Sequence, residues 1–189
     1  MVSFPTETVY GLGANAHNAD ACVSIFTTKG RPLTDPLIVH VHSLEHALEQ
    51  IDQSDEKVVS LFKLLAAKYW PGPLTMVVKA NMKVIPSLVT AETGYVGVRI
   101  PNHQIALDLI RTSGLPLAAP SANKFGHVSP SKAEHVFFDF HKDSEVYIID
   151  GGACSFGIES TVLKLTYDHT EKAYHLLILR RGGVSETSL

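Results

Sequence analysis

The chain has 189 residues, 45% of them hydrophobic and 19% charged, which is the length of one ordinary domain with enough apolar material for a core. Disordered and fibrous classes are thereby excluded. Lys and Arg number 16 against 19 Asp and Glu, and the net charge of −3 is wrong for a protein that coats nucleic acid over a broad face, although a local basic pocket stays open.

In chain order, Met1–Pro5 reads as a short buried strand. Asn18 predicts the N-cap of a helix through Thr28, with Ile25 and Phe26 inward and Gly30 at its stop. Leu37–Val41 reads as a second strand, and Ser43 caps a short helix carrying Leu44, Ala47, Leu48 and Ile51. A stronger helix opens near Asp55, with Val58, Leu61, Phe62 and Leu65 on one face, and Trp70-Pro71-Gly72-Pro73 breaks it. Leu74–Lys79 and Tyr95–Ile100 read as strands. Asn102 then caps a helix with Ile105, Ala106, Leu109 and Ile110 inward, ended by Gly114. Leu117–Pro120 is a short strand, and Ser129-Pro130 has the form of an N-cap and first helical residue for a helix through about Phe138. Val146–Ile149, Thr161–Leu165 and Ala173–Leu179 complete the strands, the last two joined by a polar tip at Tyr167–Lys172. Strands interleaved with helices predict an α/β fold, a single domain built on one sheet. Cys22 and Cys154 make no disulfide framework, no apolar run reaches the roughly 18–20 residues of a membrane span, and the first cation is Lys29. These features predict a cytoplasmic protein with no membrane attachment.

Chemistry-bearing residues gather where strands end, the place where open α/β sheets bind ligands. Thr6, Thr8, Gly11 and Gly13 follow the first strand; their bland reading is a tight strand-to-helix turn. Lys29 and Arg31 sit at a helix C-terminus, where they either meet the helix dipole or hold polyphosphate, with Asp35 in the same loop. His40 and His42 share a strand face, but no nearby Cys or carboxylate completes a metal set. Arg99 lies inside an apolar strand and needs an anionic partner, either structural, such as Glu159, or a substrate carboxylate. Ser121, Asn123 and Ser129 offer short polar side chains that either cap turns or bind oxygens, and Arg180 ends the last strand as a surface arginine or an anion ligand. Cations, hydroxyls and amides without an evident nucleophile point to catalysis by positioning and charge stabilisation, as in adenylyl or phosphoryl transfer.

Taken together, FPTETVYGLG, KGRPxxxPLxVH, WPGPLT, VGVRIP, PSANxxGxxSP, IDGG, ESTV and ILR, in that order from about Val2 to Val184, resemble the YrdC family of threonylcarbamoyl-adenylate synthases. The resemblance implies a YrdC-like fold, a twisted mixed sheet flanked by helices around an open cationic concavity. It implies a nucleotidyltransferase that joins bicarbonate to L-threonine and adenylates the carbamate with ATP, releasing pyrophosphate. Carried over by motif, Lys29 and Arg31 would be catalytic and would hold ATP phosphates. Asp35, Ser121, Asn123, Ser129 and Arg180 would complete the ATP site. Thr8, His40, Arg99 and Ser160 would line the threonine pocket, Arg99 pairing the substrate carboxylate bidentately. Mg²⁺ would arrive on ATP with no metal held by the protein, and the product would pass to a tRNA threonylcarbamoyl transferase complex. Three departures accompany the match: the family usually has a helical segment before the first strand, with which this sequence begins; Arg181 stands where the family commonly has Pro; and the expectation is a short, single-domain form without the extra C-terminal domain of the long forms. The competing expectations are an accessory module that grips tRNA or double-stranded RNA without turnover, and a carbamoyl-transfer domain like that of hydrogenase maturation factors.

Overall fold

The computed structural model describes residues 1–189. Its elements are β1 (Val2–Phe4), β2 (Gly11–Asn15), α1 (Ala19–Lys29), β3 (Ile38–His40), α2 (Leu44–Glu49), α3 (Glu56–Tyr69), β4 (Leu74–Lys79), β5 (Tyr95–Arg99), α4 (Gln104–Ser113), β6 (Leu117–Ala118), α5 (Ala133–Phe140), β7 (Tyr147–Ile148), β8 (Thr161–Asp168) and β9 (Ala173–Arg180). The nine strands form a single sheet in the order β7-β1-β2-β6-β3-β5-β4-β8-β9. It is mixed: β1/β7, β3/β5 and β4/β8 pair in parallel, the others antiparallel. No helix is long and apolar enough to cross a membrane.

Strand pleating decides the layering, because successive side chains point to opposite faces. Leu74, Met76 and Val78 of β4, Val96 and Val98 of β5, and Leu163 and Leu165 of β8 enter the main core with Ile25 and Phe26 of α1, Ala47 of α2 and Phe62 of α3. Leu12 extends that side toward Val136 and Phe140 of α5. On the opposite face α4 alone packs, setting Ala106 and Ile110 over Phe4, Leu117 and Ala119. The rest of that face, from β3 to β9, has no helix on it. This half-covered sheet creates the concavity.

The helices start and stop for local reasons. Asn18 accepts from the Ala21 amide, and α1 ends where Gly30 turns left-handed at φ 64°. The Asp55 carboxylate accepts from the Lys57 and Val58 amides, and α3 buries Val59, Phe62, Leu65 and Ala66. Elsewhere the structure departs from the expected boundaries. Gly11 to Gly13, read as part of a turn, belong to β2, which runs on to Asn15, because glycine lets the strand lie against Phe4; a Cβ on Gly13 would stand 2.7 Å from Phe4 Cε1. The last helix starts at Ala133, after Lys132, and not at Ser129-Pro130, since the Ser129 hydroxyl is engaged elsewhere. His103, not Asn102, precedes α4. Ile51 lies beyond α2 in a bridge to Ala80, and a 3-10 turn at Ser87–Thr90 had no sequence signal.

Two glycines separate backbone conformation from close approach. A Cβ on Gly182 would overlap the Glu159 carbonyl oxygen and lie 2.6 Å from that of Ser160, whereas one on Gly30 meets nothing within 4 Å. Gly182→Ala should therefore cost about 1–3 kcal/mol through backbone displacement, and Gly30→Ala only about 1 kcal/mol of left-handed strain. Urea denaturation of both variants checks this order.

Candidate functional site

The open face of the sheet is floored by residues in register. Gly97, Val77, Lys164 and Leu177 lie side by side across β5, β4, β8 and β9, and Thr75, Val162 and Arg180 form the neighbouring row. Above them is a cavity of about 660 Å³, walled by the Thr6–Gly11 loop, Arg31 and Asp35, and Ala119–Ser121. The volume falls within the range of ligand pockets. Of the residues expected at the site, the cavity brings together Thr8, Arg31, Asp35, His40, Arg99, Ser121, Ser160 and Arg180.

Thr8 is fixed by a hydroxyl-centred turn. Thr6 Oγ1 donates to Val9 O at 2.7 Å, accepts from the Thr8 and Val9 amides at 3.2 Å and meets Thr8 Oγ1 at 2.8 Å. Thr8 Oγ1 in turn accepts from Arg99 Nη1 at 3.0 Å, and Arg99 Nε donates to Gly72 O at 3.1 Å. Arg99 Nη2 forms an ion pair at 2.7 Å with Glu7, both side chains being about 5% exposed or less. Glu7, therefore, and not Glu159, is the structural partner of Arg99. Two of its five N–H donors are hydrogen-bonded, and Nη2 is paired in charge with Glu7 but makes no hydrogen bond, so Arg99 is a partly satisfied receptor and not a free one.

Glu159 instead faces Arg180, with which it forms an ion pair, and accepts from Ser129 Oγ at 2.7 Å. Arg180 is also held by Ser160, donating from Nε to its carbonyl and from Nη2 to its hydroxyl, each at 3.1 Å. Ser160 Oγ meets Thr75 Oγ1 at 2.8 Å. Arg31 donates to the carbonyls of Asp35 and Pro36 at 3.3 and 3.1 Å, with the Asp35 carboxylate 3.8 Å away. Burial lowers the Arg31 pKa, and Asp35 and Glu159 oppose that shift. His40 is driven down to about 3 by burial and by neighbouring Arg99, so its ring is neutral at physiological pH; its Nδ1 has no hydrogen-bond partner.

Three expected residues lie outside the cavity lining. Lys29 is 2% exposed, and its ammonium donates to the carbonyls of Ser121, at 2.6 Å, and Asn123. Burial, then Arg31, pulls its pKa down to about 7. Asn123 turns its amide to Lys124 O and His127 O at 2.8 and 3.0 Å, and Ser129 is bound to Glu159. His40 and His42 form no pair, since β3 ends at His40 and His42 Nδ1 meets His46 Nδ1 at 2.9 Å. The cavity carboxylates Asp35 and Glu159 each answer an arginine, and the one trio of metal-type donors, Asp168, Glu171 and His175, lies at the β8–β9 hairpin. The cavity residues therefore do not fit a protein-held Mg²⁺.

Val77, Tyr95, Lys164 and Leu177 line the cavity but belong to no chemical motif among the expected residues. Lys164 Nζ sits 3.7 Å from the Tyr95 ring centroid, a cation–π contact. Their signal was period-two alternation from Arg99 and from its neighbours on the same face.

Comparison with known proteins adds four findings. The Sua5/YciO/YrdC family model, described as telomere recombination, matches residues 1–182. A Bacillus subtilis protein named threonylcarbamoyl-AMP synthase is 44% identical over 190 residues, covering 100% of this chain and 51% of its own length. The crystal structure of P. abyssi Sua5 complexed with L-threonine matches with TM-score 0.86 at 45% identity, over 96% of this chain and 50% of that one. E. coli YciO, at 22% identity, shares the fold with TM-score 0.78 over 100% of this chain and 86% of its own. The chain thus spans about half the length of the curated relatives it matches first.

Two outcomes follow from the buried charges. Glu7→Ala should destabilise by about 3–5 kcal/mol, because Arg99 is left without its anion, and adding Arg99→Met should recover much of the loss in denaturant titrations. Unfolded His40 takes up a proton near its ordinary 6.5, whereas the folded ring resists until about 3. Stability is therefore intact above 6.5 and is lost as pH falls through this window, by up to ~1.4 kcal/mol per pH unit. His40→Gln should flatten the slope of unfolding free energy measured between pH 7 and 5.

Proposed function

This chain belongs to the Sua5/YciO/YrdC family, and on that footing we propose that it makes threonylcarbamoyl-adenylate from L-threonine, bicarbonate and ATP, releasing pyrophosphate. The observation that carries this reading is one undivided cavity with three kinds of wall. A small polar recess has Thr8, His40, Arg99 and Ser160; a cationic rim has Arg31 and Arg180; and an apolar floor has Val77, Val162, Leu177 and Leu179. An amino acid, a phosphate chain and a nucleoside demand those three surfaces in turn.

In this reading threonine occupies the recess. Its carboxylate takes the Arg99 donors left free by Glu7, Thr8 and Gly72, and the hydroxyls of Thr8 and Ser160 complete the contacts. Arg31 and Arg180 receive the phosphates, and Ser121 and Asp35 border the nucleotide. Lys29 and Asn123 act beneath, shaping the loop that presents Ser121. The threonine amine, as the free base, adds to the carbon of bicarbonate, whose hydroxyl leaves with an amine proton as water, giving a carbamate; CO₂ derived from bicarbonate gives the same carbamate with that proton released to solvent. A carbamate oxygen then attacks the α-phosphorus, and the P–O bond to pyrophosphate breaks. The nucleophile is already an anion, so the step needs alignment and neutralised charge more than a general base. Any Mg²⁺ is assigned to ATP itself, not to this chain.

Three arginines concentrated at one cavity, each with its own carboxylate, favour a small polyanion over an extended RNA backbone. The activated product must be consumed by a transferase acting on tRNA, and two unpaired cysteines fit a cytoplasmic setting.

Purified protein supplied with ATP and Mg²⁺ should release pyrophosphate only when L-threonine and bicarbonate are both present; release that ignores threonine overturns the reading. Arg31→Ala should raise the KM for ATP by the equivalent of one or two charge-assisted contacts, about 1.5–3 kcal/mol each, with the KM for threonine little changed.

A further inference from the structure

Glu159 has a place in the cavity that none of the expected roles explains. It sits between the rim cations, accepting from Ser129 Oγ at 2.7 Å and forming the ion pair with Arg180. Arg180 is one of the groups that the reading above gives to the phosphate chain, and Ser129 is one that the family resemblance places in the ATP site. Carboxylate and phosphate are both oxyanions and use the same charge-assisted bonds, so one carboxylate here fills the place a phosphate needs. The field of Glu159 also reaches Lys29, Arg31 and Arg99, opposing in each the effect of burial. It is thus the anion shared by Lys29, Arg31, Arg99 and Arg180, while Glu7 is sequestered against Arg99 and Asp35 stands 3.8 Å from Arg31.

A bracing role would tie the arrangement of Arg180 to Glu159, but the geometry does not require it. Arg180 keeps two bonds to Ser160, one to its carbonyl and one to its hydroxyl. The fold around residue 159 rests on its main chain, whose carbonyl accepts from the Gly183 amide at 3.0 Å. The side chain is 31% exposed, so it has room to swing aside.

We propose that Glu159 is a resident anion: it holds the phosphate subsite in the empty protein and is displaced by the incoming polyphosphate, so that it sets how tightly the nucleotide binds. This deepens the synthase reading and rests on it for the identity of the ligand. The physical consequence has an unusual sign. Neutralising a residue that contacts substrate normally weakens binding; neutralising one that competes with substrate strengthens it.

The test is calorimetric titration of inorganic pyrophosphate and of ATP, in EDTA, into the protein and into Glu159→Gln. The amide keeps the size of the side chain and removes its charge. Glu159→Gln should bind both anions about fivefold more tightly, the worth of one partly exposed ion pair, with L-threonine binding changed by much less because Arg99 feels Glu159 only through its field. Unchanged or weaker pyrophosphate binding overturns the proposal. Should Glu159→Gln fail to fold, Glu159→Asp keeps the charge but shortens its reach to Ser129 and Arg180. It should tighten pyrophosphate about twofold, and no gain there is equally fatal. Titration needs no turnover, so the two ideas fail separately. A protein that releases no threonine-dependent pyrophosphate loses the synthase reading alone, whereas an active one without tightening loses only the role of Glu159.

Discussion

Lys29, Arg31, Arg99 and Arg180 gather at and just beneath a single cavity, and the two buried ones, Lys29 and Arg99, need acceptors before the chain can fold, because a buried charge left alone costs several kcal/mol. The structure supplies acceptors for all four from close by. Lys29 has two loop carbonyls, Arg31 has Asp35, Arg99 has Glu7 and Arg180 has Glu159. The consequence is a site that is electrostatically balanced when empty yet retains its capacity for anions, since carboxylates at the cavity edge move more easily than backbone. Arg99, enclosed with Glu7, is the fixed member; Arg31 and Arg180, with partly exposed partners, are the adjustable ones.

This distribution follows from the layering. Every strand between β3 and β8 gives alternate residues to the helix-covered core, and the intervening ones have only the cavity to face. The same pleat that sinks Met76 and Val98 sets Val77 and Arg99 on the opposite side. Core packing therefore aims the site, and the α1–α3 side of the sheet is as much a part of the cavity as its walls.

Much of this was legible in the sequence, and the parts that were not share a cause. Asn18, Ser43 and Asp55 announced their helices because a capping side chain acts on amides two or three residues away. Local chemistry leaves local signals. Ser129 misled because its hydroxyl serves Glu159, thirty positions further on, in place of a helix terminus. The strand at Gly11–Asn15 has little strand propensity of its own and exists because Phe4 and β6 lie beside it. The motifs gathered eight of the expected residues at one cavity, but they were silent on whose partner each would be. Arg99 plainly needed an anion, and only the folded chain makes that anion Glu7.

The left-handed turn at Gly30 carries one more implication. Lys29 and Arg31 flank it, one sunk beneath the Ser121–Asn123 loop and the other at the cavity wall. Gly30 itself is exposed, and a side chain there would meet nothing within 4 Å, the profile of a position where insertions or deletions usually go unnoticed. Here the spacing counts more than the residue. Adding or removing one amino acid would rotate the two cations relative to each other and exchange inside for outside, so this stretch of surface tolerates substitution far better than any change in length.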